Sequence, residues 1–200
     1  MLPPQTCDVF WWPAMIFGDA GPAAALKTLS VAFALLLLWF AVWGAGWPLP
    51  SMLISGFLLV NLIGLTWFDF DHYRIPNWIN YPLILVGVGL AYTKGVNVLG
   101  WHMLGAVIGY GFIWGLNFYW QQRHGKDGIG MGDAKLLAAA GAWLGPLALP
   151  FVTLIASGVA LFFIVMTKVF KKNSIADKGR IAFGPFIAIG FWSAWLHPFI

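Results

Sequence analysis

The chain has no glutamate, a single cysteine and few charges of either sign: charged residues make up 9% of its 200 positions. One cysteine, Cys7, excludes an internal disulfide and a Cys-rich zinc site. The four histidines, His72, His102, His124 and His197, show no i, i+4 pairing, and the chain has neither an H-E-x-x-H helix nor a G-x-S-x-G elbow. No metal and no cofactor is therefore expected, and zinc-hydrolase and serine-hydrolase chemistry lack their parts. No basic stripe with interleaved aromatics is present. The net charge of +4 and pI near 9.3 thus point to membrane topology and not to nucleic acid. No basic n-region of a signal peptide opens the chain, and no solenoid repeat divides it.

Apolar side chains are abundant. At 60% hydrophobic and 18% aromatic residues, the chain carries more apolar surface than a soluble domain of this length hides in one core. It reads as an all-α, polytopic transmembrane bundle of about six to seven spans. The expected spans are Leu26–Trp47, Met52–Phe68, Trp78–Tyr92, Leu99–Trp120, Ala134–Leu144, Leu147–Val169 and Phe183–Phe199. A helix needs about 20 residues to cross a bilayer, so the fifth is too short to cross alone and the third is marginal. Residues 1–25, broken by Pro3, Pro4, Pro13 and Pro22, are expected as an interfacial or partly inserted arm ahead of one domain over residues 26–200. Trp47, Trp78, Tyr92, Trp101 and Trp120 fall near span ends, where aromatic belts form. Gly105 with Gly109, and Gly111 with Gly115, make small-x3-small spacings that favour close helix packing within a bundle or a dimer.

If Lys27 lies on the cytoplasmic side, alternation through these spans puts ten of the eleven basic residues on that side, with only Lys94 opposite. The same topology brings acids together. Asp69 and Asp71 fall at the cytoplasmic end of the second span and Asp133 at the cytoplasmic start of the fifth. Ionisable groups at the edge of hydrocarbon are expensive and often mark a site when they face a bundle interior. They also serve as solvated ends and helix caps, Asp133 as the N-cap after the glycine turn of Gly130 and Gly132. Two carboxylates held close cannot both ionise cheaply, so one proton is shared around a water, as in aspartic proteases. The same pair could instead form the ion site of a proton- or cation-coupled transporter, or belong to a catalytically silent assembly protein.

Three segments carry a resemblance. "FDFDHYRIPN", "GMGDAKLLAAAGAWLG" and "IAFGPFIAIG" are similar, in order, to the D-x5-[IL]-P-[ND], GxGDxKL and F-G-P-[FY] elements of the prepilin leader peptidases, GxGD-type membrane aspartyl proteases. The resemblance runs from about residue 26 to residue 200. It implies a multi-pass aspartic endopeptidase in the cytoplasmic (inner) membrane of a prokaryote. Such an enzyme uses two aspartates to cleave the basic leader from type IV prepilin or pseudopilin-like precursors at the cytoplasmic face.

Carried over by position, Asp69, six residues before Ile75, and Asp133 are the implied catalytic pair. Asp71, two residues on and nearly opposite around a helix, is expected as a supporting or solvated acid. Pro76 and Asn77 are expected to end one helix and open the next, with Asn77 as a cap. Lys135 matches the family's basic position, either steadying the carboxylates or meeting lipid headgroups. Gly184 and Pro185 are expected to shape a tight turn into the last span. The paired-cysteine segment of the bifunctional members, tied to methylation with S-adenosylmethionine, has no counterpart in these 200 residues. In this respect the chain resembles the cleavage-only members.

Overall fold

The computed structural model describes residues 48–72, 75–125, 130–170 and 182–196, with the isolated positions Phe33, Leu36, Trp39 and Phe40. Six α-helices and one 3-10 turn, with no strand, make up the fold among the described residues. They are α1 (Leu49–His72), α2 (Asn77–Thr93), α3 (Val96–His124), α4 (Met131–Leu144), the turn Pro146–Ala148, α5 (Leu149–Phe170) and α6 (Gly184–Leu196). Three stretches, Leu49–Phe70, Val96–His124 and Pro146–Met166, are long and apolar enough to cross a membrane. The chain is a polytopic helical membrane protein. The second to seventh expected spans each coincide with a helix. Of the first, only Phe33, Leu36, Trp39 and Phe40 are described, all helical; the rest of it, and the arm 1–25, lie outside the described residues.

Helix α4 is the hub. Every residue from Leu136 through Trp143 is buried, whereas Leu85, Val107, Leu154 and Phe162 on surrounding helices are exposed, as lipid-facing side chains should be. A helix apolar all round belongs in the interior of a bundle. Its contact with α3 is backbone to backbone. A Cβ at Gly105 would stand 2.5 Å from the Gly141 carbonyl oxygen, and one at Gly109 would stand 2.5 Å from that of Leu137. The first small-x3-small pair therefore packs inside the bundle, while Gly111 and Gly115 have open space around them. These pairings also set the register: one further turn places Ile113 of α3 level with Asp133 of α4.

Helix α6 is pinned to α1 near both ends. The Gly184 N–H donates to Asp69 Oδ2 at 2.9 Å, and Trp195 Nε1 donates to Ser55 Oγ at 2.9 Å. Trp143 of α4 donates its Nε1–H to the Leu83 carbonyl of α2 at 2.7 Å and meets Trp195 edge-on at 5.3 Å. A Cβ at Gly87 would strike the Trp143 ring, so glycine there is what lets α2 approach. These ties matter where every surface is apolar, because a hydrogen bond made in the bundle has no competing water.

Candidate active site

Asp69 and Asp133 come together in the interior. Asp69, three residues before the end of α1, is 5% exposed, and Asp133, in the first turn of α4, is 8% exposed. Each sits at a helix N-terminus, where unpaired N–H groups and the helix dipole favour an acid. For Asp69 that terminus belongs to α6: Gly184 is its first residue, so its N–H has no intrahelical acceptor and reaches the carboxylate instead. Pro185 follows, and its missing N–H costs nothing in a first turn. For Asp133 the terminus is its own helix. Its backbone N–H bonds to Gly130 O at 3.1 Å, while its carboxyl accepts no hydrogen bond among the described residues.

Asp133 lies ahead of the apolar run Ala134–Leu144. Burial first, and the charge of Asp69 second, push its carboxyl up to about 7. The geometry agrees: Asp69 is bonded to the Gly184 N–H, and the adjacent Phe183 lines the same cavity as Asp133.

The glycines of the G-M-G-D segment have separate jobs. Gly130 is the N-cap of α4 in an extended conformation, with no side-chain cap bond. Asp133 is therefore not the cap: it is the third helical residue, turned into the bundle. A Cβ at Gly132 would stand 2.9 Å from Ile75 Cβ, so glycine there admits the segment linking α1 to α2. Pro76, and not Asn77, occupies the N-cap of α2. Proline without an N–H suits a helix start, and the expected capping role of Asn77 is corrected accordingly. The Asn77 side-chain oxygen accepts from Lys135 Nζ at 2.6 Å, and Lys135 also lies 5.8 Å from the Tyr81 ring centre. Lys135 thus ties α4 to α2. Asp71 falls in the last turn of α1, and its side chain lies outside the described residues.

The residue that sequence reasoning undervalued is Gly184. Read as a tight turn, it is instead the one hydrogen-bond donor to Asp69 among the described residues. A Cβ there would lie 2.6 Å from Asp69 Oδ2. The F-G-P string carried this signal, because a small residue before proline at a helix start leaves one N–H both free and accessible. Among the described residues no three His, Cys, Asp or Glu side chains gather into a metal-binding cluster.

A sequence model of the type IV leader peptidase family matches residues 56–166, a stretch that contains both aspartates. The chain is similar to proteins named prepilin leader peptidase/N-methyltransferase. One from Aeromonas hydrophila is 38% identical over 168 residues, covering 84% of this chain and 54% of that protein. One from Neisseria gonorrhoeae is 33% identical over 183 residues, 86% of this chain and 60% of that protein. One from Escherichia coli K12 is 36% identical over 130 residues, 64% of this chain and 56% of that protein. The chain spans about half the length of the curated relatives it matches. No solved structure matches it.

Proposed function

The chain belongs to the type IV leader peptidase family, and from that membership we propose that it is a membrane aspartic endopeptidase acting on type IV prepilin or pseudopilin-like precursors. Cleavage takes place at the cytoplasmic face of a prokaryotic inner membrane. The peptidase unit is residues 26–200. The observation that carries the reading is the meeting of two buried aspartates from separate helices, with the charge of one felt by the other. Family membership in a peptidase group leaves ion-coupled transport through Asp69 and Asp133 without support.

The mechanism follows from the asymmetry of the pair. Asp69 accepts an N–H from Gly184 and carries the negative charge; Asp133, with no donor among the described residues, holds the proton. Asp69 takes a proton from water as the water oxygen bonds to the scissile carbonyl carbon, and Asp133 protonates the carbonyl oxygen. Collapse breaks the C–N bond: Asp69 passes its proton to the departing nitrogen, and Asp133 recovers its own from the oxygen. The products are the leader's new carboxylate and the mature protein's new amino terminus. Gly130 and Gly132 let α4 start close to Ile75, and Pro76, Asn77 and Lys135 hold α2 against α4; these are positioning roles.

The test is cleavage of a co-expressed pilin-like precursor by Asp69→Asn and Asp133→Asn variants. Each should abolish conversion to the mature form while the protein remains in the membrane. Conversion by both variants at the unmodified rate would end the reading.

A further inference from the structure

Helices α2 and α3 leave the same two-residue turn, Lys94–Gly95, but end at different levels. Helix α2 has 17 residues and α3 has 29, so at about 1.5 Å per residue α3 overhangs its neighbour by about 18 Å. Helix α5 overhangs as well: Leu161 lines one cavity with Asp133, and the helix runs on about 13 Å to Phe170. The other four helices stop at the aspartates. Helix α1 ends at His72, while α2, α4 and α6 start at Asn77, Met131 and Gly184, each within about one turn of the pair. Apolarity follows the same step. Along α3 the exposed residues stay apolar through Trp114, Phe118 and Trp120, and the polar run begins at Gln121, about 10 Å beyond Trp114. On the α1–α2 hairpin, exposed polar residues begin at the level of the aspartates, with His72 and Asn77. A tilt of the bundle that levelled the inner ends would stagger the outer ones by as much, and the Lys94–Gly95 turn keeps those together.

We propose that the protein draws the inner leaflet inward along the α1–α2 hairpin, so that phospholipid headgroups and water stand about 10 Å deeper there than beside α3. The bearing of this step on catalysis rests on the peptidase reading above; the step itself does not. The last carbonyls of α1 and the first N–H groups of α2 have no partners within their helices, and backbone groups are not left bare in hydrocarbon. Deforming a leaflet costs little per ångström, whereas each such group left without water is expensive. Lys135 marks the same level. It lies one turn into α4, and its Nζ reaches back along the α2–α4 seam to Asn77 Oδ1 at 2.6 Å, beside the Tyr81 ring. A lysine buries its stem and brings its charge to the interface, and an ammonium has three donors. Donors beyond the one given to Asn77 therefore remain for a headgroup phosphate. Trp78 and Tyr81, both more than half exposed, stand beside it, as amphipathic rings do at headgroup depth. Water then approaches the aspartates from the hairpin side, while α3 and α5 stand as walls across from it.

Trp78 of α2 and Trp114 of α3 are a matched pair for the test. They are the same residue, 55% and 51% exposed, and Trp114 is level with Trp78 or a few ångströms nearer the inner end. A bilayer of uniform thickness would therefore leave Trp114 no deeper than Trp78. The probes are nitroxide labels on Trp78→Cys and Trp114→Cys in a Cys7→Ser protein, in vesicles of phosphatidylethanolamine and phosphatidylglycerol, with depth read from collisions with oxygen and a soluble nickel chelate. The Trp78 label should lie at headgroup depth and the Trp114 label about 10 Å beneath it. A nickel-chelating lipid headgroup should relax the first and not the second. Val107→Cys, on an exposed mid-helix position of α3, sets the hydrocarbon reference. If Trp78→Cys fails to fold, Tyr81→Cys replaces it, about 4.5 Å further along α2 and still expected to be shallower than Trp114. Equal depths overturn the proposal. So does a hairpin label relaxed by the soluble chelate but not by the nickel lipid, which would mean a wet crevice without lipid, and so does one reached by neither. No readout here involves cleavage, so an inactive protein would leave the step standing, and equal depths would leave the peptidase reading standing.

Discussion

Replacing Gly184 by alanine should slow catalysis even in the molecules that fold. Gly184 is not among the positive-φ glycines Gly95, Gly125 and Gly145, so its backbone accommodates alanine. The added methyl would stand 2.6 Å from Asp69 Oδ2 and 3.1 Å from its Cγ, where ordinary contact begins at 3.4 Å. The carboxylate must therefore retreat by about 0.8 Å, the difference between 3.4 and 2.6 Å, which disrupts the 2.9 Å bond from the Gly184 N–H. A hydrogen bond to a charged group contributes about 1.5–3 kcal/mol, and each 1.36 kcal/mol is tenfold in rate. The expected loss in cleavage rate is about 10- to 100-fold. Folding should suffer too, because crowding costs about 1–3 kcal/mol against the gain of about 0.5–1 kcal/mol that alanine in a helix returns over glycine, so the rate is compared per folded molecule. The assay is conversion of precursor to mature protein in proteoliposomes, followed beside the thermal midpoint. Gly56→Ala, which meets nothing within 4 Å, is the control. A Gly184→Ala protein cleaving as fast as Gly56→Ala would refute the claim that this N–H serves Asp69.

Three further outcomes follow from particular contacts. The Asp133 carboxyl stands at about 7 against an ordinary 3.8, so the folded state binds the extra proton between those values and stability falls as pH rises from about 4 to about 7. The thermal midpoint of Asp133→Asn should decline less over that window than that of the unmodified protein, and an equal decline would contradict the burial of this group. Gly141→Ala should lower stability by about 1–3 kcal/mol, because its methyl would collide with the Gly105 carbonyl, whereas Gly111→Ala, in open space, should not destabilise; denaturation of both in the same detergent checks the contrast. Lys135→Ala and Asn77→Ala remove opposite ends of one 2.6 Å bond, so the double variant should lose no more stability than about the larger single loss, by the non-additivity of groups in contact.

Much of the fold was legible because most spans announce themselves by length and apolarity, and the six expected spans that fall within the described residues coincide with helices. The two aspartates stood out as acids at one membrane level in a chain almost empty of acids. What the sequence could not convey was rotation. In water an amphipathic stripe shows which face of a helix is buried, but α3 carries apolar residues all round, so nothing in its spelling told Gly105 and Gly109, which meet α4, from Gly111 and Gly115, which do not. Asn77 misled for a related reason: asparagine beside a proline suggests a cap, yet its oxygen was taken by a lysine 58 positions away, a contact that only the folded chain creates. Gly184 was hidden because its contribution is a backbone N–H, which every residue but proline possesses.

The most direct measurement is a double-mutant cycle of unfolding free energy for Asp69→Asn and Asp133→Asn, made at pH 8 and again at pH 5. Two carboxylates in one site repel when both are charged, so at pH 8 either single substitution should relieve most of what the double relieves, with a coupling of about 1 kcal/mol or more that shrinks at pH 5. Effects at pH 8 that add to within about 0.3 kcal/mol, as they do for separated groups, would mean that Asp69 and Asp133 do not share a site.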